Sequence, residues 1–247
     1  MDIGTMISNF FESILAVIFD VVTQFLPMDF MNNPKMISEL VQETYMTLKM
    51  LFFSGIFALI FGIIFGVLIT VTKKDGILEN KIIYFILDKF INFFRSIPFV
   101  ILMALLVGAS RLVMGTATGI KGTYIPLIFG TIPFFARQIE SVLSEVDDGL
   151  IEASIAMGNT PMQIITRVYL KESIPGIIRS VSITLISLLG LTAMAGQVGG
   201  GGLGAFAIRH GYARGKVDAT WSTVIIILLI VTAIQALGNY LTRKTTH

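Results

Sequence analysis

No cysteine occurs in the 247 residues, which excludes disulfides, thiolate metal sites and cysteine nucleophiles. Histidine is almost as scarce. His210 and His247 are the two imidazoles, and His210 has no acidic residue close in sequence to orient it. A serine intramembrane protease, which needs a serine and a base held together, therefore has no evident pair. Charge is the third shortage: 14% of residues are Asp, Glu, Lys or Arg, against about 25% in ordinary soluble domains. Residues 50–72, 180–208 and 219–242 carry none. A soluble enzyme, a disordered chain and a protein binding nucleic acid through a basic face are all excluded. The net charge of +2 names no partner, because 18 basic and 16 acidic residues nearly cancel.

What the chain has instead is apolar length. Hydrophobic residues make up 54% of it and the mean hydropathy is +0.83. A bilayer-crossing helix needs about 20 mostly apolar residues, and the three uncharged runs have that length. Two shorter runs, 96–110 and 122–136, reach it when extended past Arg95 and Arg137, whose side chains can snorkel to the interface. The expected fold is an all-α polytopic membrane protein with spans at 46–72, 90–110, 122–140, 174–196 and 219–241. Residues 1–35 form an N-terminal extension. Its apolar stretch, interrupted by Glu12, Asp20 and Gln24, reads as an interfacial helix or a sixth span over 7–26. Lys73, Lys74 and Lys81 place the loop after the first span in the cytoplasm, and Arg243 and Lys244 place the C-terminus there. Five spans then put the 197–218 loop outside although it carries Arg209, Arg214 and Lys216, against the usual bias.

Within the spans, Pro98 and Pro133 each remove a backbone hydrogen bond, as at helix breaks near a transport path or at plain packing kinks. Gly62 and Gly66 have the spacing of a close helix–helix contact. Asp88 and Lys89, in the lead to the second span, read as a solvated or interfacial pair. The cores of the first, fourth and fifth spans hold no charge of the kind an ion-coupled transporter uses, apart from Arg179 near a boundary. Gly199-x-Gly201-x-x-Gly204 spells a dinucleotide fingerprint without the strand and helix it requires, and reads as a flexible turn. Residues 211–216 end in Gly-Lys but lack the P-loop spacing and its Ser or Thr, so the chain holds no nucleotide-hydrolysis site.

The loop at 141–173 is the richest in local signals. Ser144-x-x-Asp147 can cap a helix that runs over 150–157. Gly158 suits the left-handed residue ending it. Thr160-Pro161-Met162-Gln163 then has the N-cap, the N1 proline and the capping-box glutamine of a second helix. That second helix is expected to show Ile164, Ile165 and Val168 on one face. A short amphipathic pair of this kind fits a partner's groove or lies on lipid headgroups.

Glu152-Ala153-Ser154, Gly158 and Val168-x-Leu170 resemble the coupling motif of ABC importer permeases. Ser154 stands where the family has its second Ala, and Lys171 where it has Pro, a break that Pro175 can supply later. Asn92-Phe93-Phe94-Arg95-Ser96-Ile97-Pro98-Phe99, the 151–163 stretch and the run from Ala193 to Gly204 are similar to the methionine-importer branch of that family. The likeness covers about residues 37–244. It implies a five-helix permease domain over 36–247, forming with a second copy of the chain a homodimer in the bacterial inner membrane. Its implied partners are two ABC ATPase subunits, an extracytoplasmic substrate-binding lipoprotein and an amino-acid substrate. ATP and Mg would sit on the ATPase, with no catalytic, metal or cofactor site in this chain. It further implies that Glu152, Ala153, Ser154, Gly158, Thr160 and Pro161 couple to the ATPase. Met194 falls at a pore-gate position, where ordinary span packing is the other reading. A self-powered secondary transporter and a membrane scaffold remain as alternatives that leave the capped loop unexplained.

Overall fold

The computed structural model describes Ser13, Ile14, Ala16, Val17 and residues 33–245, and no strand occurs among the described residues. The expected helix at 7–26 therefore lies outside the described residues apart from those four. The described helices are α1 (Pro34–Thr72), α2 (Lys81–Ser96), α3 (Phe99–Leu105), α4 (Val107–Met114), α5 (Gly119–Leu143), α6 (Asp148–Ala156), α7 (Pro161–Ile164), α8 (Leu170–Glu172), α9 (Ile174–Ala195), α10 (Leu203–Phe206) and α11 (Val217–Thr245). Wide π turns at Ile165–Tyr169, Gly196–Gly200 and Ala207–Tyr212 follow α7, α9 and α10.

Three helical stretches are long and apolar enough to cross a membrane: α1, α9 with its π turn, and α11. A fourth candidate is the pair α4 and α5, bent by 118°. α1 has 39 residues, roughly 58 Å at the usual rise, so it exceeds the hydrocarbon thickness and starts well before the expected position 46. Its added turns carry Lys35, Glu39 and Glu43, which a search for uncharged runs passes over. The expected span at 90–110 is instead distributed over α2, α3 and α4. Ile97 is extended (φ −86°, ψ 123°), as steric crowding by Pro98 demands, and Leu106 interrupts the helix again at φ −91°, ψ 7°. Pro133, by contrast, is buried inside α5, which continues through it.

The chain falls into two compact units. Within the described residues, the first unit holds 13, 14, 16, 17, 33–54, 99–127 and 188–233, and the second holds 55–98, 128–187 and 234–245. The second unit has its core on one face of α5. Phe135, Ile139 and Leu143 are buried there with Ile151, Ile164 and Tyr169 from the 141–173 loop, flanked by Leu59, Ile63 and Val67 of α1. Gly62 and Gly66 set how closely α1 approaches that face. A Cβ on Gly66 would lie 2.5 Å from Ile139 Cβ and 2.8 Å from the Ala136 carbonyl oxygen. In the first unit Leu40, Met50, Leu188, Leu203 and Phe206 are fully buried.

Gly66→Ala should therefore destabilise the protein by about 1–3 kcal/mol, the usual range for overpacking. Gly108→Ala, whose added methyl would meet nothing within 4 Å, should be close to neutral. Thermal melts of the two purified variants check the contrast.

Candidate functional site

Local chemistry shapes the 141–173 loop almost residue by residue. Asp147 is the N-cap of α6, its carboxylate accepting from the Gly149 N–H at 2.7 Å. Ser144 does not cap the helix; its hydroxyl accepts from Lys73 Nζ at 3.1 Å. Gly158 ends the turn at φ +77°, a conformation that costs other L-residues about 1–2 kcal/mol. Thr160 and Gln163 form a reciprocal capping box around Pro161 at the start of α7, with the Thr160 N–H donating to Gln163 Oε1 at 2.8 Å. Ser154 is buried, and its Oγ accepts from Asn159 Nδ2 at 3.0 Å. The hydroxyl that sets this chain apart from the resembled motif thus ties the end of α6 to the turn before α7.

The π turn at Ile165–Tyr169 changes which residues face inward. A regular helix from Ile164 would bring Val168 round four residues later. The extra residue of the π turn brings Tyr169 instead, and Tyr169 is buried while Val168 and Ile165 are only partly so. Burial above all, and then the Asp148 carboxylate, hold the Tyr169 phenol above its ordinary pKa, so it stays neutral at physiological pH. The break left open by Lys171 falls at Ser173, two residues before Pro175.

With Ile151, Ile164 and Tyr169 anchored inward, the outer surface of the pair presents Leu150, Ile155, Met157 and Met162, of which Met157 is 74% exposed. Glu152, Ala153, Gly158, Thr160 and Pro161 lie exposed on the same pair. The loop after α1 joins this loop through Lys73, and its Ile77 packs on the same core. The loop expected in the cytoplasm from its lysines is therefore a neighbour of the 141–173 loop.

α5 also holds α2. Arg137 pairs with Asp88, meets Asn92 Oδ1 at 3.1 Å and reaches Glu140 at 2.7 Å. This corrects the expected Asp88–Lys89 pair, since Lys89 lies over the Phe85 ring. Neither partner is close in sequence to the other, so only folding reveals the link.

In the first unit, Met194 is 44% exposed near the end of α9. The chain beyond it turns sharply: Gly199, Gly201 and Gly202 have φ of +91°, +78° and +84°. This bend is fixed rather than flexible. Glu43 Oε2 accepts from the Gly202 N–H at 2.5 Å and Thr47 Oγ1 from the Leu203 N–H at 2.8 Å, so α1 satisfies the start of α10. Arg209 meets Glu39 at 2.5 Å and Glu43 at 2.7 Å. The expected loop thus returns onto α1, with Arg209 paired to Glu39 and Glu43. His210 does have an acidic neighbour: Glu39 Oε2 lies 3.0 Å from Nε2. It is buried against Phe206, with Arg214 Nη1 3.4 Å from its Nδ1.

Comparison with known proteins shows what the chain is similar to. Residues 58–247 match the family model described as binding-protein-dependent transport system inner membrane component. The probable D-methionine transport system permease protein of Vibrio cholerae is 43% identical over 84% of this chain and 92% of its own. The methionine import system permease protein of Bacillus subtilis is 41% identical over 83% and 93%. A chain of the MetNI methionine ABC transporter, solved in inward-facing conformations, superposes with a TM-score of 0.84 at 39% identity, covering 87% of this chain and all of that one. An amino-acid ABC transporter at 18% identity and a TM-score of 0.72 shares the fold.

Asp88→Asn should leave Arg137 undercompensated and lower stability by about 1–3 kcal/mol. The double variant Asp88→Asn/Arg137→Met should recover part of that loss. Thermal midpoints of the four proteins in the cycle check the coupling, and simple additivity would refute it.

Proposed function

The chain belongs to the family of binding-protein-dependent transport system inner membrane components, and from that premise we propose that it is the permease of an ATP-driven importer of methionine or a close relative of it. The observation that carries this reading is the α6–α7 pair. It is rigidly capped, anchored by three side chains on its inner face, and faced outward with an apolar ridge rimmed by Glu152 and Gly158. An exposed apolar patch with a polar rim is what a partner's groove covers.

In this reading two copies of the chain enclose the path, two ATPase subunits bearing ATP and Mg receive the α6–α7 pairs, and an extracytoplasmic lipoprotein delivers the substrate. Closure of the ATPases displaces each pair. Ile151, Ile164 and Tyr169 pack directly on Phe135, Ile139 and Leu143, so α5 moves with the loop. Arg137 in turn engages Asp88, which carries the displacement to α2. Dense packing makes such a contact transmit displacement with little loss, and the result is a two-state shift biased by nucleotide. Ala153 and Gly158 leave room for close approach, while Glu152 offers a carboxylate to a basic or N–H group of the ATPase. The Thr160–Pro161 start holds α7 at a fixed angle to α6. Met194, an adaptable thioether next to the glycine bend, closes the path between transport events.

Gly158→Leu forces a branched side chain into a left-handed turn and onto the docking surface. The variant should insert in the membrane yet retain the ATPase about 5- to 30-fold less well, the factor that 1–2 kcal/mol represents. Co-purification measures it, and an intact, transport-active complex would refute the coupling role. Met194→Ala should speed efflux of preloaded methionine from ATP-depleted vesicles; unchanged efflux assigns Met194 to packing.

A further inference from the structure

The first unit contains a cavity of about 290 Å³, and its walls come from successive places where the chain leaves regular helix. Val100, Met103 and Ala104 belong to α3, which follows the Pro98 break. Ser110 is on α4, after the break at Leu106. Ala117 lies in the link where α4 gives way to α5 through 118°. Val198 is a non-helical residue (φ −106°, ψ 24°) of the bend after α9. At membrane depth, irregular backbone persists only where it is buried in protein or borders a water-filled space. In transporters, interrupted helices surround the substrate. Convergence of these interruptions on one cavity is therefore a functional signature, beyond the presence of a void.

The lining defines what fits. Its side chains are apolar apart from Ser110, which is fully buried and whose Oγ has no hydrogen-bond partner. No wall residue is charged. The walls therefore offer an ammonium or carboxylate no charged partner. An unbranched apolar chain, with or without a thioether sulfur, suits these walls. The volume, at the lower end for ligand sites, admits one amino-acid side chain rather than a peptide.

We propose that this cavity is a side-chain subsite of the permease itself, taking the thioether or unbranched alkyl end of the translocating amino acid while its charged head stays in the aqueous path. The inference rests on the importer reading and adds a selecting element within the membrane protein. Val198 lies four residues after Met194, so an occupied subsite bears on the same bend that follows the gate.

The test is equilibrium binding of radiolabelled methionine to the detergent-solubilised permease–ATPase complex without the binding lipoprotein. Saturable binding is expected, competed by norleucine but not by glutamate. Ala104→Leu should weaken it about tenfold or more, on the scale by which apolar pockets discriminate added carbons. Ala117→Leu, on a different element, should do the same and guards against a folding defect in the first variant; ATPase co-purification reports assembly of each. Equal binding by wild type and both variants overturns the subsite, as does a phospholipid held there and displaced by Ala104→Leu. Absence of saturable binding in wild type whose vesicles, supplied with the binding lipoprotein, still accumulate methionine with ATP overturns the subsite alone. Failure of those vesicles to accumulate methionine overturns the importer reading and the subsite with it.

Discussion

A backbone N–H or C=O buried in protein has no water to turn to, so every departure from helix must find its partner inside the protein. That constraint organises the first unit. The bend after α9 frees the Gly202 and Leu203 N–H groups, and Glu43 and Thr47 of α1 accept from both. Glu43 is then a nearly buried carboxylate, a costly state alone, and Arg209 compensates it at 2.7 Å. The bend, the paired charges and the early start of α1 thus form one solution to one problem. Residues separated by more than 150 positions are drawn together because the alternative is an unpaired polar group.

The second unit solves a mechanical problem through α5. One face of that helix buries Phe135, Ile139 and Leu143 against the 141–173 loop, and on another side Arg137, held by Glu140 of the same helix, grips Asp88 and Asn92 of α2. Gly62 and Gly66 bring α1 to contact distance on the same helix. A loop bound to so well-packed a strut cannot shift independently of it. The α6–α7 pair is thereby packed onto α5, a contact that a surface helix resting on lipid would lack.

The sequence by itself determined the class of the molecule and the form of its loop. Shortage of charge and length of apolar runs require a membrane solvent, and the signals at Asp147, Gly158, Thr160, Pro161 and Gln163 act within five residues of where they stand, so no tertiary partner is needed to read them. The boundaries were less legible: Pro98 marked a true break and Pro133 did not end its helix, although proline removes the same hydrogen bond at both. Tyr169 was invisible because a π turn shifts the inward face by one residue, which periodicity cannot register. Folding alone decided the Asp88–Arg137 pair, the Glu39–Glu43–Arg209–His210 cluster and the cavity beside Ser110. Each joins groups from different helices, and a local pattern holds no information about which distant group will satisfy a charge or a freed amide.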